Sequence, residues 1–134
     1  MTVVSIFAVL LAISVPTYSM IVNNISLRNE SYEIMAALRS AQNRAIASQG
    51  NLTHGVHFDT DKYVVFAGSW PSTDKIEYKL NPGLSISTGA GSEIIFKRLT
   101  GEASSAVIQN IEIGSSPTAT STIAVDPTGK ITIE

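Results

Sequence analysis

Two histidines three residues apart, His54 and His57, are the only imidazoles in the chain, and imidazole is the side chain best suited to hold a metal or move a proton near neutral pH. Their setting, Thr53-His54-Gly55-Val56-His57-Phe58, alternates as a strand does, and residues three apart on a strand point to opposite faces. The spacing identifies no further ligands, so the pair reads as two surface or edge histidines rather than a metal site. Asp59 and Asp61 share a strand face, but in a short polar connection aspartate more commonly makes Asx turns than a carboxylate pair. Serine and threonine are plentiful, yet no G-x-S-x-G elbow or other nucleophile context surrounds them. Cysteine is absent, which removes disulfides, a thiolate nucleophile and cysteine metal ligands. Asp126-Pro127-Thr128-Gly129 reads as a turn, because the alternate-position carboxylates of a calcium loop are missing. Trp70, beside Pro71, reads as a core or rim aromatic, with a partner contact as the less common use. Asn24-Ile25-Ser26, Asn29-Glu30-Ser31 and Asn51-Leu52-Thr53 match the N-glycosylation sequon, a pattern short enough to arise by chance. The expectation is no enzyme, no cofactor and no metal.

The elements that would carry a function lie elsewhere. No charged side chain occurs before Arg28, and most of the opening MTVVSIFAVLLAISVPTYSMIVNNISL is apolar. Charged residues make up 15% of the 134 residues, against about 25% in an ordinary soluble domain, and the deficit is concentrated in this opening. The net charge is −2. From Gly101 onward Glu102, Glu112, Asp126 and Glu134 stand against Lys130 alone, which is not a nucleic-acid footprint.

Three uses of the opening run can be weighed. A cleavable signal peptide needs a basic region before the apolar run and small residues at the cut site; no Lys or Arg precedes the run, and Pro-Thr-Tyr-Ser-Met follows Val15. A buried core helix fits Met1 to Val15 by length, but a helix apolar on all faces needs a larger body to hide in than this chain offers. A membrane-anchoring helix that can also pack into an oligomer core fits best, since Met1 to Val22 would measure about 33 Å and a hydrocarbon core about 30 Å. Pro16 removes an amide donor and crowds the carbonyl of Ala12, predicting a bend or locally melted turn between about Ala8 and Pro16. Ser14 could partly satisfy the freed groups.

Beyond the apolar run the helical period continues. Ile34, Leu38, Ala41, Ala45 and Ser48 share one face with Met35 and Ala37, while Glu30, Glu33, Arg39 and Arg44 occupy others. The stripe is small enough to lie close on a sheet, and Gly50 predicts the helix end at Gln49. A helix of that span would be roughly 70 Å long, too long for a compact head alone, so it must project.

From Leu52 the period changes to two. Residues 53–58 and 62–67 flank Asp59-Thr60-Asp61 as a hairpin. Further strands are expected at 76–80, 84–88, 93–97, 106–113, 122–125 and 130–133, separated by Asn81-Pro82-Gly83, Gly89-Ala90-Gly91, Gly114-Ser115-Ser116-Pro117 and Asp126-Pro127-Thr128-Gly129. The Ser/Thr-rich stretch from Ser115 to Thr122 reads as an exposed loop. The chain thus divides into an apolar helix half (1–27), an amphipathic helix half (28–49) and a β-rich head (50–134). The fold class is α+β, with one long N-terminal helix, kinked near Pro16, packed on an antiparallel β-sheet head.

MTVVSIFAVLLAISVPTYS resembles the N-terminal segment of type IV pilins and type II secretion pseudopilins just after the prepilin cleavage motif: an apolar helix, then a proline followed by Thr and an aromatic, here Pro16-Thr17-Tyr18. The stretch from Leu38 to Ala47 is similar to the Ala-rich helix of the H-type, or fimbrial-T-like, branch of minor pilins and pseudopilins, and Val125-Asp126-Pro127-Thr128-Gly129-Lys130-Ile131 looks like that branch's terminal hairpin. The family's motif, a basic leader ending in glycine followed by Phe-Thr-Leu-Ile-Glu, is not among these residues. Aligned on the proline, Met1 falls a few residues after that glutamate, so the family's assembly glutamate has no counterpart in this numbering. Glu30 and Glu33 are expected on the solvent-accessible part of the helix and do not substitute for it.

The resemblance implies a structural subunit of a type IV pilus-like filament at the cell surface, serving adhesion, motility, secretion or uptake. It would be held in the cytoplasmic membrane before assembly and partnered by copies of itself, other pilins and the assembly machinery; nucleic acid is not favoured. Val4, Ile6, Phe7, Val9, Leu10, Leu11, Ile13 and Val15 would pack the filament core, Pro16 would kink the helix, and Ile34, Leu38, Ala41 and Ala45 would pack helix to sheet. Two other readings are a minor pseudopilin that primes or caps a secretion or competence pseudopilus, and a membrane-anchored binding domain that never polymerises.

Overall fold

A computed structural model describes residues 2–105, 108–115 and 119–134, without the side chains of 13–20 and 115. It is an α+β chain in which an N-terminal helix packs on antiparallel sheets. Helix α1 (Thr2–Ile46) is helical in backbone throughout its length. Eight strands follow a 3₁₀ turn at Gln49–Asn51: β1 (His54–Phe58), β2 (Lys62–Ala67), β3 (Lys75–Lys79), β4 (Leu84–Thr88), β5 (Glu93–Phe96), β6 (Gln109–Ser115), β7 (Ala119–Val125) and β8 (Ile131–Ile133).

The head holds two four-stranded sheets rather than one, ordered β3-β2-β1-β5 and β4-β6-β7-β8. The β1–β2 hairpin closes where the period of two and the polar Asp59-Thr60-Asp61 place it, with Phe58 opposite Tyr63. The chain then alternates between sheets: β4 leaves the first to pair with β6, and β5 returns to pair with β1. The Ser/Thr-rich stretch expected as a loop is largely strand, because β6 runs to Ser115 and β7 begins at Ala119, where those two residues pair. Threonine suits a half-buried pleat.

The core lies between α1 and both sheets. Leu27, Ile34, Leu38, Ala41 and Ala45 meet Val56, Phe58, Ile94 and Phe96 of the first sheet and Ile111, Ile113, Ile123 and Val125 of the second in a single apolar cluster. Alanine at positions 41 and 45 lets the helix backbone sit near the strands, and both are completely buried.

The helix ends earlier than Gly50 suggests. Its last helical residue is Ile46; Ser48 adopts φ 52°, and the Leu99 N–H donates to the Ala45 carbonyl at 2.9 Å. The same carbonyl accepts the local Ser48 N–H at 3.0 Å, so a loop distant in sequence joins the chain's own turn in closing the helix end. Gln42 reinforces the junction by donating from Nε2 to the carbonyls of Gly101 (2.9 Å) and Gly129 (2.7 Å). Gly101 and Gly129 both have positive φ, and a Cβ on Gly129 would strike the Gly101 carbonyl, so the clasp needs glycine there.

Candidate functional site

The N-terminal end of α1 is apolar and exposed. Residues 2–12 are exposed at every position, with Val4 at 72%, Phe7 at 63% and Leu10 at 59% relative exposure. Ile6, Val9 and Leu11 are likewise exposed. The first buried helix residue among those described is Leu27. Residues 2–12 thus find no burial in their own head. Ile13, Val15 and the expected kink residue Pro16 fall among residues 13–20, whose side chains lie outside the described residues. Among the described residues no helix is long and apolar enough to cross a membrane.

The C-terminal half of α1 is built the other way. Ile34, Leu38, Ala41 and Ala45 are each 0% exposed. The buried stripe extends further toward the N-terminus than expected, through Ser31, Glu30 and Leu27. Glu30, placed on the solvent-accessible part of the helix by its charge, is in fact buried. It stands four residues before Ile34, so helical geometry puts it in line with the core face. Its Oε2 accepts from the Asn81 N–H at 3.3 Å, and its Oε1 has no hydrogen-bond partner among the described residues. Burial pushes the Glu30 carboxyl above the usual carboxylate range; the Asn81 amide opposes this and nearby Glu33 adds to it. Glu33 is exposed, as expected.

The histidines also depart from expectation, since both are buried. They do face opposite sides of β1. His54 Nε2 lies 3.0 Å from the Gln49 carbonyl, beside the helix end. His57 lies on the outer side of the sheet between two carboxylates, Nδ1 being 3.1 Å from Glu93 Oε2 and Nε2 3.3 Å from Asp59 Oδ1. Because the carboxylates approach opposite ring nitrogens, the three groups share no point where an ion could meet them all. Among the described residues no group of three or more His, Asp or Glu could hold a metal ion. Asp59 therefore serves His57 and, at 4.0 Å, Lys62; the turn itself closes through the Asp59 N–H and the Lys62 carbonyl at 2.8 Å.

Trp70 is a half-buried rim aromatic. Its ring stacks on His57 at 4.2 Å and 11°, leans on Phe66 at 5.3 Å and has Lys75 Nζ 5.8 Å above it, so it covers the outer side of the first sheet. On the helix side of the same sheet, Tyr63 and Tyr78 stack at 5.2 Å and 17°. Burial first, then the charges of Glu30 and Glu33 and the neighbouring Tyr78, hold the Tyr63 phenol well above its ordinary value. Asp126-Pro127-Thr128-Gly129 forms a turn, with the Gly129 N–H donating to the Asp126 carbonyl at 2.9 Å.

Sequence reasoning missed the partnership of His57 with Glu93, which lies 36 residues away and has no local signal. It also missed the Gln42 clasp, for the same reason. Glu30 did carry a signal, its register with Ile34. No protein-family model, curated protein or solved structure matches the chain.

Proposed function

We propose that the chain is a structural subunit of a type IV pilus-like filament, not an enzyme, and that it assembles through the exposed face of Thr2–Ala12. The observation that carries this reading is the division of one continuous helix into two regimes: exposed on every side and mostly apolar at residues 2–12, and buried along one stripe against the head from Leu27 to Ala45. Such a helix can hold its head at a distance from an apolar medium and exchange that medium for equivalent helices with little change in apolar burial. The resemblance of residues 1–19 and 38–47 to pilins and pseudopilins points the same way. In this reading the helix rests in the cytoplasmic membrane before assembly. Head-to-tail contacts that do not close then generate a fibre, presented at the cell surface.

The test is Leu10→Asp. A charge at the centre of a helix surrounded by lipid or apolar neighbours costs about 2.5–3.5 kcal/mol, and the cost recurs at every subunit of a fibre. Expressed with its assembly machinery, this variant should form no filaments by electron microscopy, while the fluorescence of Trp70 shows a folded head. Intact filaments would overturn the proposal.

A further inference from the structure

The first sheet ends in an open edge. Among the described residues β3 pairs only with β2, and all five of its residues are exposed. The Ala67 N–H donates to the Asp74 carbonyl and the Leu80 N–H to the Asp61 carbonyl, so Asp74 and Leu80 turn their backbone groups toward β2. Alternation along an antiparallel ladder then turns Ile76 and Tyr78 the same way, and leaves the N–H and C=O of Lys75, Glu77 and Lys79 facing outward.

The two faces of this edge differ. Ile76 stands opposite Val65 and Tyr78 opposite Tyr63, so both side chains lie on the helix side, and they remain 46% and 43% exposed. The lysines of the strand lie on the other face, where Lys75 Nζ pairs with Glu77 at 3.5 Å and lies over Trp70. Edge strands are commonly guarded by charge, but the helix side of this one carries no such guard. It opens instead onto a cavity of about 330 Å³ lined by Glu33, Ala36, Ala37, Ser40, Tyr63 and Tyr78.

The charge of that cavity is one-sided. Glu33 is the one charged residue among those that line it, and it forms no ion pair among the described residues. Two stacked phenol rings beside unpaired negative charge favour a cation.

We propose that the β3 edge and this cavity form one docking surface for an extended segment of a partner protein carrying a lysine or arginine. The segment adds as a further strand through the outward backbone groups of Lys75, Glu77 and Lys79, and its basic side chain enters between Glu33 and Tyr78 on the face shared with Ile76. Main-chain bonds supply affinity and the alternate side chain supplies selectivity, as in other strand additions. The surface lies where the head meets the C-terminal half of α1 and uses none of residues 2–12.

The probe is the capped pentapeptide Val-Thr-Lys-Thr-Val, titrated into the ¹⁵N-labelled full chain in non-ionic detergent. The expected result is perturbation of the amides of Lys75, Glu77 and Lys79, with binding about tenfold tighter than for the same peptide with Glu in place of Lys. Glu33→Gln should abolish most of that preference. Glu77→Pro should block binding by removing an outward N–H, and Glu77→Gln should not. If the proline variant misfolds, N-methylating the peptide amides that face β3 tests the same bonds on the intact chain. Equal binding of the Lys and Glu peptides, perturbation confined to other strands, or the same amides shifting with protein concentration and no peptide would each overturn the proposal; the last would assign the edge to a second copy of the chain.

Discussion

Replacing Glu30 by methionine should make the chain more stable at neutral pH. The side chain is 1% exposed, and its carboxylate has one hydrogen bond, from Asn81 at 3.3 Å, with Oε1 unpartnered among the described residues. A buried polar group left unsatisfied costs about 1–3 kcal/mol, more when charged. Methionine keeps the volume and flexibility of the site, and the freed Asn81 amide sits in an exposed turn that water can reach. The expected gain is about 2 kcal/mol at pH 7, which at a urea slope of about 2 kcal/mol per molar moves the midpoint by about 1 M. The pH dependence follows from linkage. Burial raises the Glu30 pKa in the folded state above the unfolded value, so between the two the native state binds more protons than the unfolded one. Stability tied to this group is therefore fully present below the ordinary carboxylate value of 4.5 and is lost as pH rises through the raised folded value. Urea titrations of both proteins in non-ionic detergent, followed by the single tryptophan, Trp70, should show the midpoint gap wide at pH 7 and narrow at pH 4. A gap that does not change with pH, or a methionine variant less stable at pH 7, would refute the argument from desolvation.

Leu38→Ala should cost about 2–5 kcal/mol, because the side chain is 0% exposed in the apolar cluster where α1 meets both sheets and its truncation leaves a cavity there; the same urea titration reads it, with Ser40→Ala on the exposed face of α1 changing the midpoint little. Gln42→Leu should cost about 1–3 kcal/mol by stranding the Gly101 and Gly129 carbonyls, and amide exchange should rise at Leu99, whose N–H closes the helix end.

The regular elements were legible because period is a local property. Apolar residues four and seven apart announced α1 from Ile34 to Ala45, and alternation with turn residues placed β1, β2, β4 and β5 to within a residue or so of where they lie. The division of the head into two sheets was not legible. It depends on β5 crossing back to β1 and on β4 joining β6, pairings between segments whose patterns are individually interchangeable. The helix end was misjudged for a related reason: Gly50 is a valid local stop, but the chain already turns left-handed at Ser48, where the Ala45 carbonyl accepts from both Ser48 and the distant Leu99.

Glu30 divides the two kinds of information most clearly. Sequence assigned it by charge to solvent, whereas register assigned it to the core, and packing against the Asn81 turn decided for register. The sequence by itself determined that the opening residues lack charge and that a helix must carry them, since hydropathy and period are written one residue at a time. Only the tertiary structure decided that the buried stripe of this helix begins at Leu27 and takes in Glu30 and Ser31. It also decided that His57 is held by Glu93, and that β3 is left with a free edge. Each of these depends on which distant surfaces exclude water from one another, and no local pattern encodes that choice.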